Sequence, residues 1–256
     1  MIRRKSLRKP SYRKITKPLI LVGIRSSLDD IIELASVCGY HVVGILDHYY
    51  YGNTKSFSNI PIIGDEQWLA DSNNLLAQQW IKNCWFICTT WWTGKQHLNN
   101  PGLNLEKIRQ ERIELLDSCN LKLANLIHPK AKISSLHSIK MGNGVIIMGE
   151  ALIGRNVVIG NHSVIDWQAN LAMRVKIGKG CIIGVRSNIT NYEIGNYVRI
   201  GVAANCIGHA NFDLAPNLIG NNSVVHVGAT VFDDIPSNYI RTFTNKTLPR
   251  IDHADS

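Results

Sequence analysis

The chain has 256 residues, 45% hydrophobic and 18% charged, so it is long enough for two domains and too apolar to be a disordered chain. Its net charge of +9 comes mainly from residues 1–17, which carry eight Lys or Arg and no acid, and the other 20 basic residues nearly balance 19 acidic ones. No apolar run approaches the roughly 18 residues of a membrane-spanning helix. The apolar run 19–24 ends at Arg25 without a cleavage site, which argues against a signal peptide.

The basic arm, residues 1–17, has two interpretations. Its charge could contact a polyanion such as a nucleic acid, an anionic lipid or a glycan through sequence-independent electrostatics. Alternatively it is a solvated extension without a dedicated partner. No recognition motif or aromatic stacking platform accompanies the charge, which favours the extension.

The six cysteines are scattered along mostly apolar segments. Their spacing favours buried thiols over a disulfide framework or a zinc site. Free thiols are typical of a reducing compartment, so we expect a cytoplasmic protein without a bound metal.

The segment 18–125 alternates strand and helix patterns. Strands are predicted at residues 19–23, 41–47, 60–64 and 84–90, and helices at 28–38, 65–80 and 105–119. This alternation predicts a small parallel α/β sheet of Rossmann-like type. Ligands of such sheets bind at the carboxyl ends of the strands, near the first strand–helix turn.

That first turn contains one glycine, Gly23, followed at a short distance by Arg25 and Ser26. A nucleotide-binding turn usually clusters glycines so that the backbone can approach phosphate. Arg25 and Ser26 could still hold a phosphate at the helix N-terminus. An ordinary strand–helix connection explains the same residues equally well.

The segment 126–256 is dominated by a six-residue repeat. A period of six fits neither a helix nor a simple strand, and it is typical of a solenoid in which three short strands complete one triangular coil. The register shortens by one residue near Asn191 and lengthens again near Pro216, and residues 239–243 form a final strand. The inward positions predicted for the coil are Met141, Ile147, Ile153, Ile159, Ile165, Leu171, Ile177, Ile183, Ile189, Ile194, Ile200, Cys206, Phe212, Ile219, Val225 and Val231.

Several motifs together resemble one known family. They are Val-Gly-Ile-Leu-Asp at 43–47, Ile-Pro-Ile-Ile-Gly at 60–64, Ile-His-Pro at 127–129 and the hexapeptide repeats that follow. The chain is similar to the sialic-acid O-acetyltransferase family, which includes the N-acetyltransferases of bacillosamine and perosamine biosynthesis. The resemblance implies a left-handed parallel β-helix, a homotrimer, and acetyl-CoA bound between neighbouring subunits.

The same resemblance implies site residues in both domains. A nucleotide-linked or surface-glycan sugar would be held partly by the first domain, and the sugar's amine or hydroxyl would attack the thioester while a histidine at a coil corner removes its proton. The positions implied for the sugar nucleotide are Gly23, Arg25, Ser26 and Asp47, and those implied for acetyl-CoA are Gly184, Gly201 and Asn245.

The sequence departs from this family at the catalytic corner. The acid–histidine pair of the family falls on Ala172 and Met173, and a second family histidine falls at about Ile182. A thioether cannot accept a proton, so Met173 and Ala172 are expected to be non-catalytic. Another histidine would therefore have to act as the base.

His209 is the candidate for a relocated base. Counting hexapeptides places it on the same corner as Met173, with Asp213 as its orienting acid, His226 one coil further along that corner, and His162 on another corner. A satisfied polar residue at a turn remains the alternative for each. Two functions stay open: an acyl-CoA-dependent acyltransferase with a relocated base, or an inactive trimeric homologue with a structural or binding role.

Overall fold

The computed structural model describes residues 17–24, 28–90, 104–134, 138–211 and 213–250. The first part of the chain forms a five-stranded sheet in the order β3-β4-β2-β1-β5. All neighbours are parallel except the antiparallel pair β3 and β4. The strands are β1 (Lys17–Val22), β2 (Tyr40–Leu46), β3 (Ser56–Phe57), β4 (Ile60–Gly64) and β5 (Trp85–Cys88).

The described helices of this part are α1 (Asp29–Val37), α2 (Leu75–Asn83) and α3 (Leu105–Ser118), together with a short 3₁₀ helix (Glu66–Ala70). The prediction of one helix over 65–80 is wrong, because two separate caps divide the segment. The Asp65 carboxylate accepts a hydrogen bond from the Gln67 amide, and the Asn74 side chain accepts one from the Ala77 amide at 3.1 Å. Each cap starts its own helix.

The second part is a parallel β-helix, because each turn of the chain adds one strand to each of three sheets. The first face contains β6 (Leu126–Ile127), β9 (Ile146–Ile147), β12 (Val164–Ile165), β15 (Ile182–Ile183), β18 (Arg199–Ile200), β21 (Val224–Val225) and β23 (Tyr239–Arg241), with β24 (Thr247–Pro249) antiparallel to β23. The second face contains β7 (Lys132–Ile133), β10 (Leu152–Ile153), β13 (Asn170–Leu171), β16 (Asn188–Thr190), β19 (Asn205–Ile207) and β22 (Thr230–Val231). The third face contains β8 (Lys140–Met141), β11 (Val158–Ile159), β14 (Lys176–Ile177), β17 (Tyr192–Ile194) and β20 (Asn217–Ile219).

The aliphatic spine of the β-helix is confirmed. Ile159 pairs with Ile177 and Ile165 with Ile183 in the neighbouring coil, and these side chains belong to one buried cluster that runs the length of the repeat. Each fully buried aliphatic side chain contributes about 1.5–3 kcal/mol of transfer free energy. The stacking of identical residue types in successive coils therefore holds the β-helix together.

The spine departs from the prediction near residue 212. After β19 the chain runs through residues 208–216 before pairing resumes at β20, where Ile219 lies beside Ile194 of β17. Phe212, the inward position predicted there, lies outside the described residues. Residues 208–211 and 213–216 belong to no strand and lie at one corner, and we call the segment 208–216 the corner loop.

The candidate functional residues of the β-helix lie at its three corners. We define corner 1 between the first and second faces, corner 2 between the second and third, and corner 3 between the third and first. Left-handed residues recur at equivalent points of corner 2, where Asn156, Arg174 and Asn191 have φ of 59°, 54° and 54°. Asparagine tolerates this conformation, which explains its frequency at these turns.

The first domain packs on the first face of the β-helix. The outward residues of this face are aliphatic in its first coils and join the same buried cluster as Ile31 and Leu34 of α1. They are Leu126, Ile146, Val164 and Ile182, all at most 8% exposed. The position where the family has a second histidine, Ile182, thus lies in the contact between the domains.

None of the helices in the described part of the chain has the length and hydrophobicity needed to cross a bilayer.

Candidate active site

Corner 2 carries the position of the family base. Leu171 of β13 is followed by Ala172 and Met173, and the Asn191 amide in the next coil donates to the Met173 carbonyl at 3.0 Å. Met173 is 52% exposed, so a thioether faces solvent at the position where the resemblance predicted an imidazole. This corner has no proton acceptor of its own in that coil.

His209 lies on the same corner, as predicted. It is the second residue of the corner loop, after Gly208, and the preceding strand β19 pairs with β16, which in turn pairs with β13. Its backbone is anchored there: the His209 amide donates to the Asn217 side chain at 3.0 Å, and the Asn191 side-chain amide donates to the His209 carbonyl at 2.7 Å. An imidazole therefore reaches corner 2 from two coils beyond Met173.

The hydrogen bonds of the His209 ring determine its tautomer. Nε2 lies 2.6 Å from the carbonyl oxygen of Ala215, and a carbonyl can only accept, so Nε2 carries the proton. In the neutral ring Nδ1 then keeps its lone pair. Nδ1 lies 3.4 Å from the Asn191 side-chain nitrogen, which makes only a long contact with it. Nδ1 is therefore the nitrogen available to take a proton.

Asp213 does not orient this ring in the structure. The Ala215 carbonyl occupies the place beside Nε2, and the Asp213 backbone amide donates a hydrogen bond to the Asn211 side-chain oxygen at 3.0 Å within its own turn. Arg174, which follows Met173, contacts the corner loop: its guanidinium donates to the Leu214 carbonyl at 2.9 Å.

The other two histidines of the β-helix lie elsewhere. His226 follows β21 and donates its amide to the Arg241 carbonyl, so it lies on corner 1 and not on the corner of Met173 as predicted. The nine-residue corner loop shifts the count between the two positions. His162 lies on corner 3, as predicted, and is 1% exposed.

The His162 ring is held between α3 and the β-helix. Its Nε2 lies 2.9 Å from the Asp117 carboxylate, which also pairs with Lys179 at 2.8 Å. Burial lowers the pKa of His162, although the bond to Asp117 opposes that change. The ring is closed off from solvent, so it attaches α3 to the β-helix and does not meet a substrate.

The three residues implied for acetyl-CoA share corner 1. Gly184 follows β15, Gly201 follows β18, and the Asn245 side chain accepts from the Thr230 amide at 3.2 Å. A Cβ on Gly201 would stand 2.5 Å from the backbone nitrogen of Val227, so glycine is needed there for coils to stack. Gly201 also lines a cavity of about 380 Å³ with His226 and the exposed Phe243.

The carboxyl edge of the first sheet holds a buried ion network. The Arg112 guanidinium of α3 lies 3.0 Å from the Asp47 carboxylate, 2.7 Å from Glu66 and 2.7 Å from the Thr90 hydroxyl. Asp47 also accepts from the Ile24 amide at 2.8 Å. Burial raises the pKa of Asp47, which Arg112 opposes; burial alone would lower the pKa of Arg112, but the two carboxylates raise it.

Gly23 and Asp47 are thus brought together, but with Arg112 between them. A Cβ on Gly23 would overlap the Thr90 hydroxyl and lie 2.5 Å from the Arg112 guanidinium. Asp47 is 1% exposed, so it shapes this edge and does not present an oxygen to solvent. Arg25 and Ser26 lie outside the described residues, as do residues 1–16.

Sequence reasoning missed Arg112, Asn191 and the Ala215 carbonyl. Arg112 lies on a helix 65 positions after Asp47, and nothing in its local pattern distinguishes it from a solvated arginine. The shortened register at Asn191 was the one available signal for that residue. No cluster of three or more His, Cys, Asp or Glu side chains within the described ranges could hold a metal ion.

Comparison with known proteins supports the fold. No protein-family model matches the sequence. The bifunctional protein GlmU of Clostridioides difficile (strain 630) is 36% identical over 87 residues, which is 33% of this chain, and this chain spans only 17% of that relative's length.

Solved structures cover far more of the chain. A histidine-to-alanine mutant of the GDP-perosamine N-acetyltransferase of Caulobacter crescentus, in complex with CoA and GDP-perosamine, has a TM-score of 0.71 at 22% identity, covering 92% of this chain and 97% of its own. The acetyltransferase domain of PglB from Neisseria gonorrhoeae FA1090, in complex with acetyl coenzyme A, has 0.69 at 20%, covering 91% and 98%. WeeI from Acinetobacter baumannii AYE has 0.68 at 14%, covering 91% and 100%. The chain shares their fold, as the resemblance implied.

Proposed function

We propose that this protein is an acetyl-CoA-dependent acyltransferase that acts on the amine or hydroxyl of a nucleotide-linked or surface-glycan sugar. Two proteins of the same fold are described in complex with CoA and GDP-perosamine or with acetyl coenzyme A. The observation that carries the proposal for this chain is the oriented imidazole of His209 at corner 2, with its Nδ1 lone pair available.

In this proposal His209 replaces the missing family base. Acetyl-CoA supplies the thioester carbonyl that the sugar nucleophile attacks. Nδ1 accepts the proton that the amine or hydroxyl loses during attack, and the Ala215 carbonyl holds the ring by its other nitrogen. The C–S bond of the thioester breaks as the acyl group passes to the sugar, and the proton on Nδ1 goes to the departing CoA sulfur, which leaves as the thiol. A sugar amine that arrives unprotonated is already nucleophilic, so it places a smaller demand on the base than a hydroxyl does.

The remaining features of the resemblance belong to the same proposal. They are a left-handed coil, a homotrimer, a Rossmann-like first domain that holds the sugar nucleotide near Gly23, Arg25, Ser26 and Asp47, and a cytoplasmic location. Corner 1 with Gly184, Gly201 and Asn245 is the proposed path of acetyl-CoA. The Gly201 cavity supports this path, because a cleft of that size with an apolar wall suits a pantetheine-like chain.

Contact of the basic arm with a polyanion is the alternative to the solvated extension that the sequence favours, and a truncation tests it. Removing residues 1–16 keeps β1 intact, since that strand begins at Lys17. We expect the shortened protein to bind a heparin column less tightly and to lose the dependence of binding on salt. Equal retention of the full-length and shortened proteins at every salt concentration would show that the arm does not contact the polyanion.

The experiment that tests the proposed activity is an acetyl-transfer assay with purified full-length protein. Acetyl-CoA is offered with GDP-perosamine and with UDP-linked amino sugars, and released CoA thiol and acetylated product are measured. The kcat of the His209→Gln variant is expected to fall at least about 100-fold, because a general base usually contributes at least that factor to the rate. His41→Gln, an exposed histidine of β2, is the matched control and should keep full activity.

Two results would overturn the proposal. Full activity of the His209→Gln variant would remove His209 from the reaction. Absence of turnover with every acceptor, together with no thermal stabilisation by acetyl-CoA, would contradict an acyltransferase.

A further inference from the structure

A second groove lies between α3 and corner 3, away from His209. It has a volume of about 350 Å³ and is lined on one side by the first turns of α3 and on the other by corner 3 and the final strands of the β-helix. Neither the proposed base nor the residues proposed for acetyl-CoA line it. Arg199 lines both this groove and the Gly201 cavity, so the two adjoin at that residue.

The charged side chains that line this groove are mostly positive. They are Lys107, Arg109, Arg199 and Arg250, against one carboxylate, Glu106. Half of the uncharged lining residues carry amide side chains, which can donate hydrogen bonds to an anion. The body of the protein outside the basic arm is almost neutral, so this concentration of arginine is local and not a consequence of overall charge.

Arg109 is the most unusual of these residues because it is buried and pairs with no carboxylate among the described residues. Its guanidinium donates to the Gly180 carbonyl at 2.9 Å and to the His162 carbonyl at 2.6 Å. The residue is 5% exposed, and its Nε has no hydrogen-bond partner within the described part of the chain. Burial lowers the pKa of Arg109. A buried cation held only by neutral oxygens leaves positive charge for an anion in the groove to compensate.

Glu106 partly supplies that negative charge from within the chain. One of its oxygens lies 2.9 Å from Arg199, and the other pairs with Arg250. Arg250 is further fixed by donating to the Asn222 carbonyl at 2.9 Å. The two arginines are thus already arranged around a carboxylate, and the fork geometry that holds a carboxylate also suits phosphate oxygens.

We propose that this groove is a binding site for a phosphate ester or diphosphate group, with Arg199 and Arg250 as its direct ligands and Arg109 as the buried charge behind them. Glu106 occupies the site in the absence of the anion and competes with it. A diphosphate suits the site better than a monoanionic carboxylate because several arginines converge on it. The cavity volume leaves room for the organic part of the ligand.

The test is binding of inorganic pyrophosphate to the full chain by calorimetry at low salt. Arg199→Gln and Arg250→Gln are each expected to weaken binding at least about tenfold, since each removes a charge-assisted contact. Glu106→Gln removes the competitor and is expected to tighten binding several-fold. Lys176→Gln is the matched control: it removes a cation that pairs with Glu193 on the third face, and binding should not change.

The basic arm also attracts anions, but its contribution is the same in all these variants. Binding that is equal in wild type, Arg199→Gln and Arg250→Gln would overturn the proposal, as would weaker binding by Glu106→Gln. Circular dichroism of each variant checks folding. Arg109 is left unchanged because its burial makes its replacement disruptive.

Competition identifies the source of the phosphate. A nucleoside diphosphate such as GDP, or coenzyme A, is titrated against bound pyrophosphate, and displacement by one of them assigns the group to the sugar nucleotide or to the acyl donor. Pyrophosphate binding that needs both arginines would support the site even in a protein without acetyl transfer, so failure of the groove and failure of the proposed activity are distinguishable.

Discussion

The Nε2 atom of His209 lies 2.6 Å from the carbonyl oxygen of Ala215. A peptide carbonyl, and not a carboxylate, therefore orients the proposed base. A carboxylate partner stabilises the imidazolium that forms when a histidine takes a proton, whereas a carbonyl dipole carries no full charge. The Ala215 carbonyl therefore fixes the tautomer of His209 but stabilises the imidazolium less than a carboxylate would. This suits a sugar nucleophile that gives up its proton readily.

Replacing Met173, whose thioether is exposed, should have little effect on acetyl transfer. Met173→Leu keeps the volume of the side chain and removes only sulfur, which takes no part in proton transfer. We expect kcat/KM for acetyl transfer to stay within about twofold of wild type, against the roughly 100-fold loss expected for His209→Gln. A large loss in Met173→Leu would instead place that side chain in contact with the reacting groups.

Two glycines with similar backbone angles should respond differently to alanine. Gly23 and Gly39 have φ of 91° and 84°, so either substitution costs about 1–2 kcal/mol from left-handed strain. At Gly39 nothing lies within 4 Å of the new Cβ, whereas at Gly23 the Thr90 hydroxyl and Arg112 occupy the space. Urea unfolding should show Gly23→Ala less stable than Gly39→Ala by a further 1 kcal/mol or more, about the cost of overpacking. Equal losses would mean that Arg112 and Thr90 move aside freely.

Removing the Arg112 guanidinium from the buried ion network should lower the free energy of unfolding substantially. Arg112→Met leaves Asp47 and Glu66 facing each other without a positive charge, and loss of one partner of a buried pair typically costs about 3–5 kcal/mol. The free energy of unfolding from urea denaturation measures this. The double variant with Asp47→Asn removes one stranded carboxylate and should recover part of the loss. No recovery would indicate that packing of the arginine, and not its charge, is what matters.

An inward position of the first face and an outward position of the second face provide a matched pair. Ile165 is fully buried in the spine, and Leu152 on the outside is 43% exposed. Ile165→Ala should cost about 2–5 kcal/mol through lost burial and the cavity left behind. Leu152→Ala should cost about 1 kcal/mol or less, as is usual for exposed positions. Similar losses at the two positions would contradict the assignment of inside and outside.

The buried His162 should make stability depend on pH below neutrality. Its folded-state pKa is lowered from 6.5, so the unfolded chain binds the proton more readily. Stability is then fully present above about pH 6.5 and falls as the pH drops through that value, with a slope of at most about 1.4 kcal/mol per pH unit for one proton. Urea unfolding between pH 5 and 8 should show this slope, and His162→Asn, which tolerates the left-handed backbone, should flatten it.

His48 is a control for that measurement because its pKa is shifted in the opposite direction to that of His162. Its hydrogen bond to Asp65 raises its pKa, so its contribution is present below pH 6.5 and is lost as the pH rises through the folded-state value. His48→Gln should therefore leave the slope due to His162 in place or make it slightly steeper. A flat profile in His48→Gln would show that His162 is not the group responsible.

The spine was predictable because its signal is local and repeated. Each aliphatic residue such as Ile159 or Ile177 meets an equivalent one in the next coil, so the period alone implies the contact. The errors lie where the period breaks. A single capping residue, Asn74, divides the helix predicted over 65–80, and the corner loop moves His226 to another corner.

The candidate site was less predictable, since its decisive contacts join distant or featureless positions. Arg112 and Asp47 meet only because α3 packs across the carboxyl edge of the sheet. The partner of His209 is a backbone carbonyl, and every residue has one, so no residue pattern could single out Ala215 over the nearby carboxylate of Asp213.

The sequence by itself determined the three-sided coil, its buried face and the absence of a proton acceptor from the side chain at position 173, because residue spacing decides which side chains point inward and residue type decides what can take a proton. Only the tertiary structure decided the tautomer of His209, the ion network around Arg112 and the arginine-lined groove beside α3. These depend on how the corner loop folds and how a helix docks on the β-helix, and such long-range packing is set by the summed contacts of both domains and not by any one segment.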